Sequence, residues 1–214
     1  MSTETEFHDV KPDRSRAALV RSANVLFARN GYHSTTVREL AEHARVNISA
    51  ISYHFGGKEE LYRECIRECA EDRLRAAKAY LVAPASAEEM RVRLKLWVSS
   101  VLRANAENPE VALVTFREFE SDVPVTPDLF EKLVLPIVET MDAFMAGAQS
   151  RGFLRADLDS GNLAYLFWSL VLNVARFDQR RSQFVGQSIA HEPYRDQITD
   201  EILKIFLDGA TRSS

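Results

Sequence analysis

Residues Asn30–Tyr62 read NGYHSTTVRELAEHARVNISAISYHFGGKEELY. Within this stretch Thr36-Val37-Arg38-Glu39 is a capping box: the Thr hydroxyl and the Glu carboxylate satisfy free backbone N–H groups reciprocally. It predicts a helix from Thr36 to Ala44, with Val37, Leu40, Ala41 and Ala44 on one apolar face. The short turn Arg45-Val46 leads to Asn47, a good N-cap, and to a two-turn helix over Ile48–Phe55 that Gly56-Gly57 ends. On that helix Ile51 and Phe55 face inward with Val46, while Ser49, Ser52 and Tyr53 face outward. Two short helices joined by a tight turn, after a longer packing helix, form a helix-turn-helix pattern. Small polar residues on the outer face let such a helix lie deep in the major groove. There hydroxyls meet base edges, and a Tyr reaches a phosphate oxygen.

Upstream, Leu19, Ala23, Leu26 and Phe27 form the apolar stripe of a helix over Pro12–Asn30, with Gly31 as its left-handed cap. Downstream, Lys58 opens a fourth helix to about Leu81, and Pro84 breaks the pattern. Ser86-Ala87-Glu88-Glu89 is a second capping box. It opens a fifth helix to about Asn108, striped by Met90, Leu94, Trp97, Val101 and Leu102. Pro109 starts a short sixth helix to about Ser121. Thr126-Pro127, a cap followed by Pro, starts a seventh to about Arg151 that Pro136 kinks or splits. Helices over Asp159–Phe177 and Glu192–Ala210 come next, with Asp178–His191 between them as a polar loop. The expected fold class is all-α, with about nine helices. A three-helix DNA-binding domain is expected at 12–60 and a helical regulatory and dimerisation domain at 61–212.

The charge distribution agrees. The 214-residue chain carries −4, yet Arg14–Lys58 holds seven cations against two anions and so carries +5, leaving −9 for the rest. A basic headpiece on an acidic body binds phosphate locally.

The quoted stretch resembles the DNA-binding domain of the TetR (tetracycline-repressor-like) family of transcriptional regulators. Gly31-Tyr32, Thr36-Val37-Arg38-Glu39-Leu40-Ala41, the Tyr53-His54-Phe55 ending and Lys58-Glu59-Glu60-Leu61 carry the resemblance, which covers about Ser15–Tyr62. It implies a ligand-responsive repressor that binds a palindromic operator as a homodimer. It further implies that Thr36 contacts phosphate and that Arg38 reaches a base edge or phosphate. Ser49, Ala50 and Ser52 match base-facing positions, and Tyr53, His54 and Lys58 match backbone contacts. The residues alone leave other roles open: Thr36 as a plain cap, Tyr53 as a helix cover, His54 as a packed side chain, and Ile48 as core or thymine-methyl contact. Two departures stand out. Arg45 occupies a turn position where the family usually has Gly, so a positive φ there strains it or the turn is altered. Ser52 stands where the family often has an aromatic residue.

In the body, Leu163, Leu166, Phe167, Leu170, Val171, Val174 and Phe177 cover a wide face, and Ile198, Ile202, Ile205 and Phe206 do the same in the last helix. Helices apolar over so much of their circumference are buried on both sides, which fits a homodimer through the last two helices. A small-molecule pocket is expected among helices five to eight, with Trp97, Phe116, Phe119, Phe144, Trp168 and Asn173 as candidates. The aromatics serve equally well as core, and Arg117, Glu118 and Glu120 as pocket groups or a solvated face.

Other classes find little support. None of His8, His33, His43, His54 and His191 sits in a metal or triad spacing, and no Gly-rich phosphate loop occurs, so neither catalysis nor a cofactor or metal is expected. Cys65 and Cys69, one turn apart, read as reduced, partly buried residues, a thiol sensor being the alternative. Met1–Lys11 is polar and without a signal peptide, and no run of apolar residues is long enough to span a membrane, so a cytoplasmic protein is expected. The rival function is a dimeric helical interaction protein that does not bind DNA.

Overall fold

The computed structural model describes residues 12–122 and 124–211, so the polar Met1–Lys11 segment and residue 212 of the expected second domain lie outside it. Among the described residues the fold is all-α: α1 (Pro12–Asn30), α2 (Val37–Ala44), α3 (Ser49–Phe55), α4 (Lys58–Tyr80), α5 (Ala87–Glu107), α6 (Pro109–Phe119), α7 (Pro127–Leu129), a π-helical turn (Phe130–Val134), α8 (Leu135–Ser150), α9 (Ser160–Val185) and α10 (Glu192–Ala210). The chain divides into two compact units, one ending at Ile66 and one beginning at Arg67, so α4 contributes residues to both.

In the first unit α1, α2 and α3 pack on one another. Leu19, Ala23 and Phe27 of α1 are buried with Leu40, Ile51, Leu61 and Tyr62. The Phe27 ring meets that of Tyr62 edge-on at 4.9 Å. Thr36 caps α2 with both halves of the box in place. The turn after α2 is a Schellman motif: Val46 N–H reaches Ala41 O at 3.0 Å and Arg45 N–H reaches Glu42 O at 3.1 Å. The motif needs a left-handed residue, and Arg45 supplies it at φ 57°, ψ 42°. The turn is therefore unaltered despite the missing glycine. Arg45 is the positive-φ residue other than glycine among the described residues.

In the second unit α8 lies along α9, and α5 packs against both α9 and α10. The core between them holds Leu94, Trp97, Leu102, Met141, Phe144, Phe167, Val171 and Leu203. Ser86 caps α5 by accepting from Glu89 N–H at 3.1 Å, but the Glu89 carboxylate reaches back to Ala85 N–H at 2.6 Å, one residue before the expected partner. Pro136 does not break the helix begun at Pro127. Lacking an N–H and crowding the preceding turn, Pro is accommodated by the π-helical turn just before it. Counting that run as one helix gives nine among the described residues.

Three local expectations are corrected. Helix α6 ends at Phe119 rather than Ser121. Thr126 precedes Pro127 but makes no side-chain cap, because its hydroxyl donates to the buried Glu118 carboxylate at 2.8 Å. Most of the expected loop Asp178–His191 is helix, since α9 continues to Val185 and closes on left-handed Gly186. Its Gln and Arg residues favour helix, and no breaker precedes that glycine. Asp178 lies buried inside α9 and ties down the turn between α9 and α10: its carboxylate accepts from Ser188 Oγ at 2.6 Å and from Ile189 N–H at 2.9 Å.

Replacing Asp178 by Ala leaves the buried Ile189 N–H without its acceptor and lowers the unfolding free energy by about 1–3 kcal/mol. Urea denaturation measures it, and an unchanged midpoint would show that the 186–191 turn stands without this anchor.

Candidate functional site

The capping box orients α2 and commits the Thr36 side chain. Its N–H and hydroxyl donate to Glu39 Oε2 at 2.7 and 2.8 Å, and Glu39 N–H returns to the hydroxyl at 3.2 Å. The first of these bonds, from the Thr36 backbone, is the main reason the Glu39 carboxyl titrates below the ordinary glutamate range; the hydroxyl bond adds to it. Arg38 is well exposed and holds Glu42 at 2.7 Å one turn away, a surface pair weak enough for a phosphate to displace.

Helix α3 is placed by Ile51, which is fully buried beneath it. Asn47 acts in place of a side-chain cap at Ile48: its Oδ1 accepts from Ser49 N–H at 2.9 Å and from Ser49 Oγ at 2.8 Å. Ser49, Ser52 and Tyr53 are all exposed, Tyr53 at 78%, while Ala50 and His54 are half-buried. The His54 ring lies edge-on between those of Tyr53 and Phe55, at 4.9 and 6.2 Å. Ile48 points at solvent with 52% exposure and so belongs to no core.

Lys58 is placed differently from a freely extended phosphate contact. It is half-buried, and its ammonium donates to the carbonyls of Tyr32 and Thr35, each at 2.9 Å. It also sits 4.2 Å from the centre of the Tyr32 ring. Burial pulls its pKa below that of an ordinary lysine. Lys58 thus ties the start of α4 to the turn that delivers α2, a role that spacing along the chain does not reveal.

In the second unit the six pocket candidates separate. Phe116, Phe119 and Trp168 line one cavity of about 170 Å³, with Phe130 and Leu172. Trp97 and Phe144 are fully buried in the core, where Trp97 packs on Phe167 at 5.8 Å between ring centres. Neither lines this cavity. Asn173 is exposed on α9, and its amide donates to Ser169 O one turn back, so it is no pocket group either. Arg73 also lines the cavity. Sequence reasoning misses it, because a single Arg on an amphipathic helix carries no signal distinguishing a cavity from solvent.

The chain is similar to known proteins in sequence and in fold. The model of the family described as "Bacterial regulatory proteins, tetR family" matches residues 19–65. Over 204 residues the chain is 26% identical to the HTH-type transcriptional regulator RutR of Escherichia coli (strain K12), an alignment spanning 92% of this chain and 93% of that one. Among solved structures, the ketosteroid transcriptional regulator KstR2 of Mycobacterium tuberculosis matches with TM-score 0.74 at 20% identity, over 92% of this chain and 95% of that one. The transcriptional regulator FadR from Bacillus subtilis in complex with stearoyl-CoA matches with TM-score 0.71 at 16% identity, over 90% and 98%.

The lowered pKa of Glu39 has a defined consequence for stability. A carboxylate depressed in the folded state stabilises it fully above the unfolded value of about 4.3, and that contribution is lost as pH falls through the lowered native value. Glu39→Ala is therefore less stable than the parent at neutral pH, and the two converge in acid. Denaturation midpoints tracked down the pH scale measure this; a constant gap would mean that Glu39 acts by something other than its charge.

Proposed function

We propose that the chain is a member of the TetR family of DNA-binding transcriptional regulators, a ligand-responsive repressor that holds a palindromic operator as a homodimer in the cytoplasm. The observation that carries the reading is the outer face of α3: exposed Ser49, Ser52 and Tyr53 above a fully buried Ile51, in a segment whose net charge is +5. A small polar ridge fits the major groove, and the surrounding cations draw in phosphates.

The side chains divide the work. The Ser49 hydroxyl already gives its proton to Asn47, so toward DNA it acts as an acceptor and favours the amino groups of adenine or cytosine. Ser52 and Ala50 lie against base edges, and exposed Ile48 meets a thymine methyl. Thr36, Arg38, Tyr53 and His54 serve the phosphate backbone, Thr36 through the helix terminus it caps, since its hydroxyl is engaged with Glu39. Lys58 positions the α2 turn and offers its remaining N–H to a phosphate.

Dimerisation is assigned to α9 and α10. Leu166, Leu170, Phe177 and Phe184 are exposed at spacings of four and seven along α9, Phe184 at 82%, while Leu163, Phe167 and Val171 on the adjoining face fill the core. Ile205 of α10 is exposed while Ile202 is buried. A helix apolar on two sides needs a second partner, and two-fold pairing supplies it together with the two recognition helices that a palindrome requires. Asn173 falls within the exposed stripe, where a polar residue fixes the register of pairing helices.

The effector is assigned to the 170 Å³ cavity. FadR is described with stearoyl-CoA, which supports a small-molecule role for a body of this fold. Arg73 in the cavity wall is borne on α4, whose first residues belong to the DNA-binding unit. A ligand that prefers the conformation unable to meet both half-sites weakens operator binding by about 5–150-fold, a coupling of roughly 1–3 kcal/mol, and by reciprocity the operator weakens the ligand equally.

Ser49→Ala and Ser52→Ala change which operator is preferred, whereas Arg38→Ala weakens all sequences alike and lowers the salt slope by about 1. Titrations on operator and scrambled DNA at several salt concentrations separate the two; a uniform loss from both serine changes would show that α3 does not read bases. Leu166→Glu with Leu170→Glu yields folded monomers, because both side chains lie outside the core. Light scattering checks it, and a wild type monomeric at micromolar concentration would defeat the dimer.

A further inference from the structure

The polar side chains around the 170 Å³ cavity are Arg73, Thr115 and Glu120. Two of them are engaged: the Thr115 hydroxyl donates to Val111 O at 2.8 Å, and the Glu120 carboxylate pairs with Arg176. Arg73 is the exception. Its guanidinium makes one hydrogen bond, 3.2 Å long, to the side-chain oxygen of Asn105 and lies 5.4 Å from the centre of the Phe116 ring. Among the described residues no carboxylate comes within ion-pair range of it. A guanidinium carries five N–H donors in a planar fork, so one bond to a neutral amide leaves a full edge for an acceptor. Asn105 is itself buried and anchored to Val101 O at 2.7 Å, which holds the fork in place.

We infer that this cavity takes a small monocarboxylate with a single aromatic or similarly sized apolar ring, its carboxylate on Arg73 and its ring among Phe116, Phe119 and Trp168. The inference deepens the effector reading above and rests on it for the regulatory consequence, not for binding. Charge selects the acid: a planar carboxylate matches the guanidinium fork in bidentate fashion, a cation is repelled by it, and a neutral ligand offers Arg73 only weaker, uncharged hydrogen bonds in place of the water it displaces. Volume selects the ring. An enclosed apolar cavity of about 150 Å³ in another protein holds one benzene, and 170 Å³ is close to that. The aromatic walls favour a ring that stacks edge-on or offset.

The neighbouring cavity sets the other limit. Trp168 also lines a second space of about 190 Å³ with Val138, Met141 and Asp142, so its indole stands between the two. A long chain enters both only if Trp168 moves. Asp142 in the second space, with Asp159 and Glu139 near enough to act on its titration, makes that end acidic and turns away a second carboxylate.

Full-length protein titrated with benzoate, benzamide, benzylamine and octanoate tests the assignment. Trp168 lines the cavity and its ring lies 5.7 Å from that of Trp97, so a ligand beside Trp168 changes the intrinsic fluorescence of the pair. Benzoate binds at least about tenfold more tightly than benzamide, the worth of a charge-assisted pair over a neutral hydrogen bond, and benzylamine is weaker still. Arg73→Gln brings benzoate and benzamide together, Arg73→Lys retains part of the gap, and Trp168→Phe reduces the fluorescence change while calorimetry still detects binding. Benzamide or octanoate matching benzoate, an unchanged benzoate affinity in Arg73→Gln, or no benzoate binding at millimolar concentration would each overturn the inference. Operator binding measured alongside separates it from the effector reading. Arg73-dependent benzoate binding that leaves operator affinity untouched keeps the cavity assignment and ends the effector reading. Release of operator by a compound of another class, with no Arg73-dependent binding of benzoate, does the reverse.

Discussion

The DNA-facing half of the molecule depends on one backbone conformation, the left-handed residue at Arg45. Helix α3 leaves α2 in the direction that this residue sets, and the Schellman bonds from Arg45 and Val46 close only if φ is positive there. For a non-glycine residue that geometry costs on the order of 1–3 kcal/mol. What holds it is burial on either side: Leu40 before the turn and Ile51 after it are both fully enclosed, each worth roughly 1.5–3 kcal/mol. If Arg45 relaxed to a right-handed conformation, α3 would swing away from α1 and Ile51 would meet water. The strain is therefore small against the burial of two large side chains, and an arginine at this point adds charge to the basic unit where glycine adds none.

The same logic explains what was legible in the sequence. Capping boxes, cap glycines and apolar periodicity act over four or five residues, and the reading agrees at α1 over Pro12–Asn30, at the box Thr36–Glu39 and at the end of α3 before Gly56, while the box at Ser86 closes on Ala85, one residue early. The other departures occur where a distant residue intervenes. The Thr126 hydroxyl goes to Glu118, eight residues earlier, instead of capping its own helix. The run 178–185 is polar and looks loop-like, but Asp178 finds partners ten and eleven residues further on, and helix propensity meets no obstacle until Gly186. Polarity marks exposure, and only breakers and caps mark the end of a helix.

Charged residues were the least legible part of the site. Lys58 and Arg38 look equivalent as cations beside a recognition helix, yet Arg38 is exposed and loosely paired while Lys58 is drawn under Tyr32 and bonded to two carbonyls. Desolvation accounts for the second: an ammonium withdrawn from water must replace its hydration with fixed acceptors, and the turn at 32–35 provides two. Arg73 is the converse, a cation on a helix of ordinary composition that borders a cavity instead of solvent. The aromatic candidates show the same limit, since Trp97, Phe144 and Trp168 are alike in a stripe and differ only in what the neighbouring helix leaves open.

The contrast between the two units comes from what each has to meet. B-form DNA offers grooves of similar width and phosphates at similar spacing from site to site, so a recognition unit must satisfy nearly the same constraints whatever sequence it reads. Its residue pattern is consequently narrow, and residues 19–65 match a family model. A small-molecule cavity answers to no such fixed partner. Its volume is set by side chains from several helices, and one changed ring alters both shape and polarity without disturbing the helices that carry it. Solved structures with TM-scores of 0.74 and 0.71 accordingly share this chain's fold at 20% and 16% identity. The body's own walls differ accordingly from chain to chain: here Arg73 lines one cavity, and Trp168 lines both that cavity and the one beside it.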